Sequence, residues 1–191
     1  MRQLCRGRPS TAKTPSPAET EPGGPETRDA QRWQLLALIA GAAILRLYSL
    51  SSHAGFGVDE ATTVVNSMHS MRQALLWDAS NNPPLQHVLI NLLARVNASE
   101  AMLRLPGALF GVGTVYCVYR LVERLVSPRA ALCAGVAVAV SPFHILNSMN
   151  ARMYSAALFF STASLLFTVR ALRSDRPAEW MAVCVLSALG L

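Results

Sequence analysis

Four apolar runs of near-membrane length, Trp33–Leu50, Leu105–Leu125, Ala130–Leu146 and Met153–Leu172, constrain this chain more than any other feature. A fifth begins near Trp180. The first gives about 27 Å of helix at 1.5 Å per residue, close to the thickness of a bilayer's hydrocarbon core. Inside lipid every backbone N–H and C=O must find a partner within the protein, so such runs become helices. The chain is 52% hydrophobic and only 15% charged over 191 residues. That is more apolar material than a soluble domain of this size buries. The expected class is an all-α, polytopic transmembrane protein.

Basic residues set the expected orientation. Of the 17, 16 are arginine, and no basic patch interleaved with aromatics appears, which argues against nucleic acid as a partner. Arg120, Arg124 and Arg129 flank the break at Ser127-Pro128, and Arg170, Arg173 and Arg176 flank the break at Ser174-Asp175. With both breaks cytoplasmic, the N-terminal tail is cytoplasmic too and the positive-inside rule holds at each turn. Residues 51–104 and the turn at 147–152 then face outward. Residues 1–32, rich in Pro, Gly, Thr, Glu and Arg, are expected to be a disordered cytoplasmic tail. Arg46 is expected to snorkel to the interface, with Tyr48 as an anchor. Cys5, Cys117, Cys133 and Cys184 form no C-x-x-C pair, and the last three read as small packing residues. No organelle retention signal is visible, so the expected site is a bacterial plasma (inner) membrane, crossed several times.

The outward segment divides into two amphipathic interfacial helices. In Asp59–Leu76 the apolar stripe is Val64, Met68, Met71 and Leu75. In 84–97, opened by Pro83-Pro84, Leu85, Val88, Leu89, Leu92, Leu93 and Val96 share one face. Gln86, His87, Asn91 and Arg95 take the other, and the segment is too short to span. His53, His69, His87 and His144 are expected to be merely solvated.

Four short elements then stand at or near the outward face. They are Asp59-Glu60 after the first run, and Asp78 followed by Asn82-Pro83-Pro84-Leu85. The third is Arg104-Leu105-Pro106 with Gly107–Gly111. The fourth is Ser141-Pro142-Phe143-His144 followed by Ala151-Arg152-Met153-Tyr154. In this order and spacing, residues 33–191 resemble the N-terminal part of the polytopic glycosyltransferases of the GT-C type, in their family 39, protein mannosyltransferase-like branch. The resemblance implies a donor sugar on a polyprenyl phosphate, an extracytoplasmic active site and inversion at the sugar carbon. It also implies a general base at the acidic residue after the first helix, here Asp59. Two departures stand out. Asn150 occupies a position where such enzymes commonly carry an acid, and they are about twice this length or more, so the chain reads as a truncated module.

On this reading Asp59 is the candidate base, because the acceptor hydroxyl must lose its proton as it attacks. Glu60, which points elsewhere on the helix, is a structural or tuning partner. Asp78, Asn82, Arg152 and Tyr154 are candidate substrate-binding residues. Arg152 either holds the leaving phosphate bidentately, snorkels to the interface, or pairs with Asp59 or Asp78. Tyr154 either hydrogen-bonds the sugar or phosphate or belongs to the aromatic belt. Asp78 orients the acceptor, caps a turn, or binds a divalent metal with His87, and no cofactor is otherwise implied. The acceptor is a lipid, a glycan or a protein. An inactive remnant acting as an assembly partner and a transporter or flippase are the alternatives. The transporter is disfavoured because the spans carry almost no internal charge.

Overall fold

The computed structural model describes residues 25–52, 55–68, 84–174 and 176–190. Among them are eight helices and no strand: α1 (Pro25–Ser52), α2 (Val58–Ser67), α3 (Pro84–Val96), α4 (Glu100–Leu125), α5 (Pro128–Val140), α6 (Pro142–Met149), α7 (Tyr154–Ser174) and α8 (Pro177–Leu189). Three stretches, Asp29–Leu50, Glu100–Leu125 and Tyr154–Ser174, are long and apolar enough to cross a membrane. The expected all-α polytopic class is the class found.

Serine-proline pairs place two of the breaks. The Ser127 hydroxyl accepts from the Ala130 N–H at 3.3 Å to start α5, and the Ser141 hydroxyl accepts from the His144 N–H at 3.4 Å to start α6. Each is a serine N-cap followed by proline, whose missing N–H is harmless in a first turn. Inside a helix the same proline breaks the ladder. The expected single helix Ala130–Leu146 is therefore two helices bent by 56°. At the other end of the chain, α1 begins at Pro25, ahead of the expected Trp33, so part of the tail expected to be disordered is helical.

The long central helix α4 packs against α1, α5, α6 and α7. Leu38 and Ala42 of α1 meet Val115 and Tyr119 of α4 and Ala131 and Ala139 of α5 in one buried cluster. Cys117 and Leu121 meet Ala163 and Leu166 of α7 in another. Close approach is made possible by Gly107. A Cβ there would lie 2.9 Å from the backbone oxygens of both Ser148 and Asn150. Gly107 and Gly111, one turn apart, form a small-x-x-x-small surface that lets the end of α6 lie directly on α4. Cys133 and Cys184 lie exposed, so only Cys117 among the described cysteines is an internal packing residue.

Two expectations about α2 and α3 change. The second helix ends at Ser67; Met71, Leu75 and His69 lie outside the described residues, as does His53. In α3 the polar face is the buried one. Gln86, His87 and Asn91 are enclosed with Ile90, while Leu92 and Val96 are exposed. The two helices join through polar groups. Ser67 Oγ donates to Thr63 O at 2.6 Å and therefore accepts from His87 Nδ1 at 2.7 Å. Asn91 donates to Ser67 O at 2.7 Å. His87 is thus a buried structural histidine and not a solvated one. Burial holds its imidazole below the ordinary histidine range, in the neutral form. An apolar stripe turned outward fits a helix lying against lipid, since lipid is as good a surrounding for leucine as a protein core.

Candidate functional site

The two neighbouring carboxylates after α1 have opposite environments, because one residue step turns a helix by about 100°. Glu60 is enclosed, with its side chain 7% exposed, and Asp59 stands open at 82%.

Glu60 accepts four hydrogen bonds. Its Oε1 takes Arg104 Nε at 3.1 Å and the Ala151 backbone N–H at 2.6 Å. Its Oε2 takes Arg104 Nη2 at 2.9 Å and reaches back to the Gly57 N–H at 3.4 Å. Arg104 Nη2 also donates to Gly55 O at 2.9 Å, and its guanidinium lies 5.1 Å from the centre of the Phe56 ring. Gly55 sits at φ +88°, a conformation open to glycine, and its N–H donates to Glu100 Oε2 at 2.9 Å. Burial alone would push the Glu60 carboxyl up. The bonds from Arg104 and Ala151, and then the Arg104 charge, more than reverse this and hold it ionised below the ordinary range. Glu60 thereby ties α2, α4 and the 150–152 turn together.

That turn carries the next residue toward Asp59. Arg152 Nη1 lies 2.7 Å from Asp59 Oδ2, and its guanidinium is 5.2 Å from the centre of the Tyr154 ring. Asp59, Asn150, Arg152 and Tyr154, with Gly57, Val58 and Glu60, line a pocket of about 430 Å³. Arg152 Nε is buried without a hydrogen-bond partner among the described residues. Asn150, which ends α6, is one of the lining residues and is neutral. A second cavity of about 510 Å³ adjoins it, and Tyr154 borders both.

Asp59, Glu60, Arg152 and Tyr154 are thus brought together, while Asp78 and Asn82 lie outside the described residues. Of the three roles open to Arg152, the ion pair with Asp59 is the one seen. No cluster of three or more potential metal ligands occurs among the described residues. His87, the proposed partner of Asp78 in a metal site, has its Nδ1 engaged by Ser67.

One arginine was misread from sequence. Arg46 does not snorkel. It is 0% exposed and donates to Ala42 O at 3.0 Å, to Ala139 O at 3.4 Å and to His144 Nδ1 at 2.7 Å. The break before Pro142 leaves the last carbonyls of α5 without helical partners, and Arg46 fills that need. His144 is accordingly buried, not solvated. The spans therefore do hold internal charge, at Arg46 and Arg104. The available signal was position: Arg46 is a lone arginine inside an apolar run and Arg104 stands at the edge of one, and such residues usually face a polar partner.

The opposite end of the bundle collects arginines. Arg104 and Arg124 on α4 are separated by about 30 Å of helix. Arg173 donates to Arg124 O at 2.8 Å, and Arg170 pairs with Glu179 at 3.0 Å.

Residues 81–191 match the profile of the family described as dolichyl-phosphate-mannose-protein mannosyltransferase. The matched stretch holds Arg104, His144, Asn150, Arg152 and Tyr154; Asp59 and Glu60 precede it. No curated protein and no solved structure matches the chain.

Proposed function

The chain belongs to the dolichyl-phosphate-mannose-protein mannosyltransferase family of membrane glycosyltransferases, and from that membership we propose that it transfers a sugar from a polyprenyl phosphate to an extracytoplasmic acceptor, with inversion, Asp59 acting as the base. One observation carries this reading: an exposed carboxylate and a guanidinium, 2.7 Å apart, face one pocket at the end of the bundle away from the arginine-rich turns. That polarity supports a cytoplasmic N-terminus and an outward-facing pocket.

The reaction needs a base and a cation, and the pocket offers both. An acceptor hydroxyl oxygen attacks the sugar's anomeric carbon from the face opposite the phosphate. The carbon–oxygen bond to phosphate breaks as the new bond forms, and the hydroxyl proton passes to Asp59. The departing phosphate needs positive charge and no proton, and Arg152 supplies it. In the free protein Asp59 and Arg152 occupy each other. A bound phosphate competes for Arg152, which releases Asp59 for the acceptor. Donor binding would therefore precede acceptor activation.

The test is Asp59→Asn in the intact enzyme. Transfer should vanish while membrane insertion and donor binding survive, and near-normal turnover removes Asp59 as the base. Arg152→Ala should raise KM for the donor, and an unchanged KM removes the phosphate role.

A second reading is favoured by Asn150, which cannot act as a base or an acidic ligand in this pocket. On that reading the chain is an inactive assembly partner. Asn150→Asp that raises transfer from nothing would support it; wild-type transfer by the unaltered chain removes it.

A further inference from the structure

The cavity on the other side of Tyr154 is lined in part by His144, which carries a hydrogen-bond donor that no described residue accepts. Phe143, Tyr154 and Leu158, all exposed on the surface of the bundle, form its apolar wall, and His144 and Ser148 belong to its polar lining. Arg46 can only donate. With its Nη2 at 2.7 Å, His144 Nδ1 must be the acceptor, so the ring proton of the neutral imidazole sits on Nε2. Ser148 does not compete for Nδ1, since its hydroxyl proton goes to His144 O at 2.7 Å. His144 is 7% exposed, and its Nε2 is buried with no hydrogen-bond partner. A buried donor without an acceptor is rare and unfavourable.

The charge behind this donor is also uncompensated. Arg46 pairs with no carboxylate among the described residues; its partners are two carbonyls and the imidazole. A guanidinium donating to one ring nitrogen polarises the other N–H and makes it a stronger donor. The position therefore favours an anionic oxygen, and the apolar wall open to the bilayer favours a chain attached to it.

We propose that the cavity between α6 and the start of α7 binds a single-chain lipid phosphate, one phosphate oxygen accepting from His144 Nε2–H, with Arg46 as the positioning residue. The chain lies along Phe143 and Leu158. Tyr154 borders both cavities, so the other oxygens of the same phosphate, and the group it carries, face the Asp59–Arg152 pocket. The choice of phosphate over another anion rests on the lipid-linked donor proposed above; the donor role of His144 does not.

The probes are farnesyl phosphate and farnesol, which share a chain and differ in the anion, with the full chain in zwitterionic lipid nanodiscs. His144→Phe keeps a planar ring and removes the donor. It should weaken farnesyl phosphate by about tenfold or more, as loss of a hydrogen bond to a charged group does, and change farnesol by less than about twofold. Equal affinity of wild type and variant for farnesyl phosphate overturns the proposal. Leu158→Trp, an exposed wall position, should weaken both probes alike, and unaltered binding overturns the assignment of the cavity. Nitrogen-15 spectra of labelled histidine give a readout independent of any folding defect in the variant. They should show the His144 proton on Nε2 before ligand and a shifted Nε2 resonance after it; a proton on Nδ1 refutes the role of Arg46. Binding through His144 without sugar transfer refutes the transfer reading alone. Wild-type rate and KM for transfer in His144→Phe refute the lipid site alone.

Discussion

Glu60→Gln tests whether the buried carboxylate or its exposed neighbour holds this end of the protein together. The substitution preserves shape and removes one oxygen. Each Glu60 oxygen faces two N–H donors, so whichever becomes the amide nitrogen meets two donors. Arg104, 5% exposed, then keeps Glu100 as a counter-charge among the described residues, at 3.8 Å and half-exposed. Removing one partner of a buried pair costs about 3–5 kcal/mol. The residual contact with Glu100 argues for the lower end, about 3 kcal/mol. For a chain of this size that lowers the Tm by about 6–12 °C. Asp59→Asn breaks only an ion pair with one open partner, worth at most about 1 kcal/mol, and should leave the Tm within about 4 °C. The assay is thermal unfolding in detergent, followed by reaction of a dye with buried Cys117 after the other cysteines are replaced by serine. The double variant Glu60→Gln/Arg104→Met should recover part of the loss, because the stranded charge is gone. A Glu60→Gln protein that melts within 2 °C of wild type, or an Asp59→Asn protein that loses as much, would refute the assignment of the two roles.

Other outcomes follow from the same contacts. Gly107→Ala forces a methyl against two backbone oxygens, so about 1–3 kcal/mol of stability should be lost as the 148–150 backbone shifts; an unchanged Tm would mean that α6 does not rest on α4. Acidification should loosen the junction of α2, α3 and α4. His87 and Glu60 both have lowered pKa values in the fold, so each contributes stability above its ordinary pKa and loses it as pH falls through the lower folded value. The loss begins below about 6.5 for His87 and deepens below about 4.5 for Glu60. Protection of the Gly57 and Ala151 amides, taken relative to the intrinsic exchange rate at each pH, should fall over that range, and constant protection from pH 7 to pH 4 would contradict it. Ser67→Ala removes the acceptor of His87 and should destabilise by about 1–3 kcal/mol, read by the same unfolding assay.

Much of the helix pattern and the polarity of this molecule was legible in the residues alone. Apolar length and arginine-flanked breaks act over a few residues, so they report most of the helices and the carboxylate-bearing end directly, while the Ser141-Pro142 break inside the expected Ala130–Leu146 helix was passed over. Asp59 and Arg152 could be named as site candidates for the same reason, each standing at the edge of an apolar run. The partners could not be named, because they depend on packing between distant segments. Glu60 meets Arg104 44 residues away, and Arg46 meets His144 98 residues away. Nothing local distinguishes a snorkelling arginine from one that answers the open carbonyls of a broken helix. The inverted α3 shows the same limit. Its periodicity located two faces, but which one is buried depends on what surrounds the helix. Only the tertiary structure, by setting Ser67 opposite His87 and Asn91, turned the polar face inward.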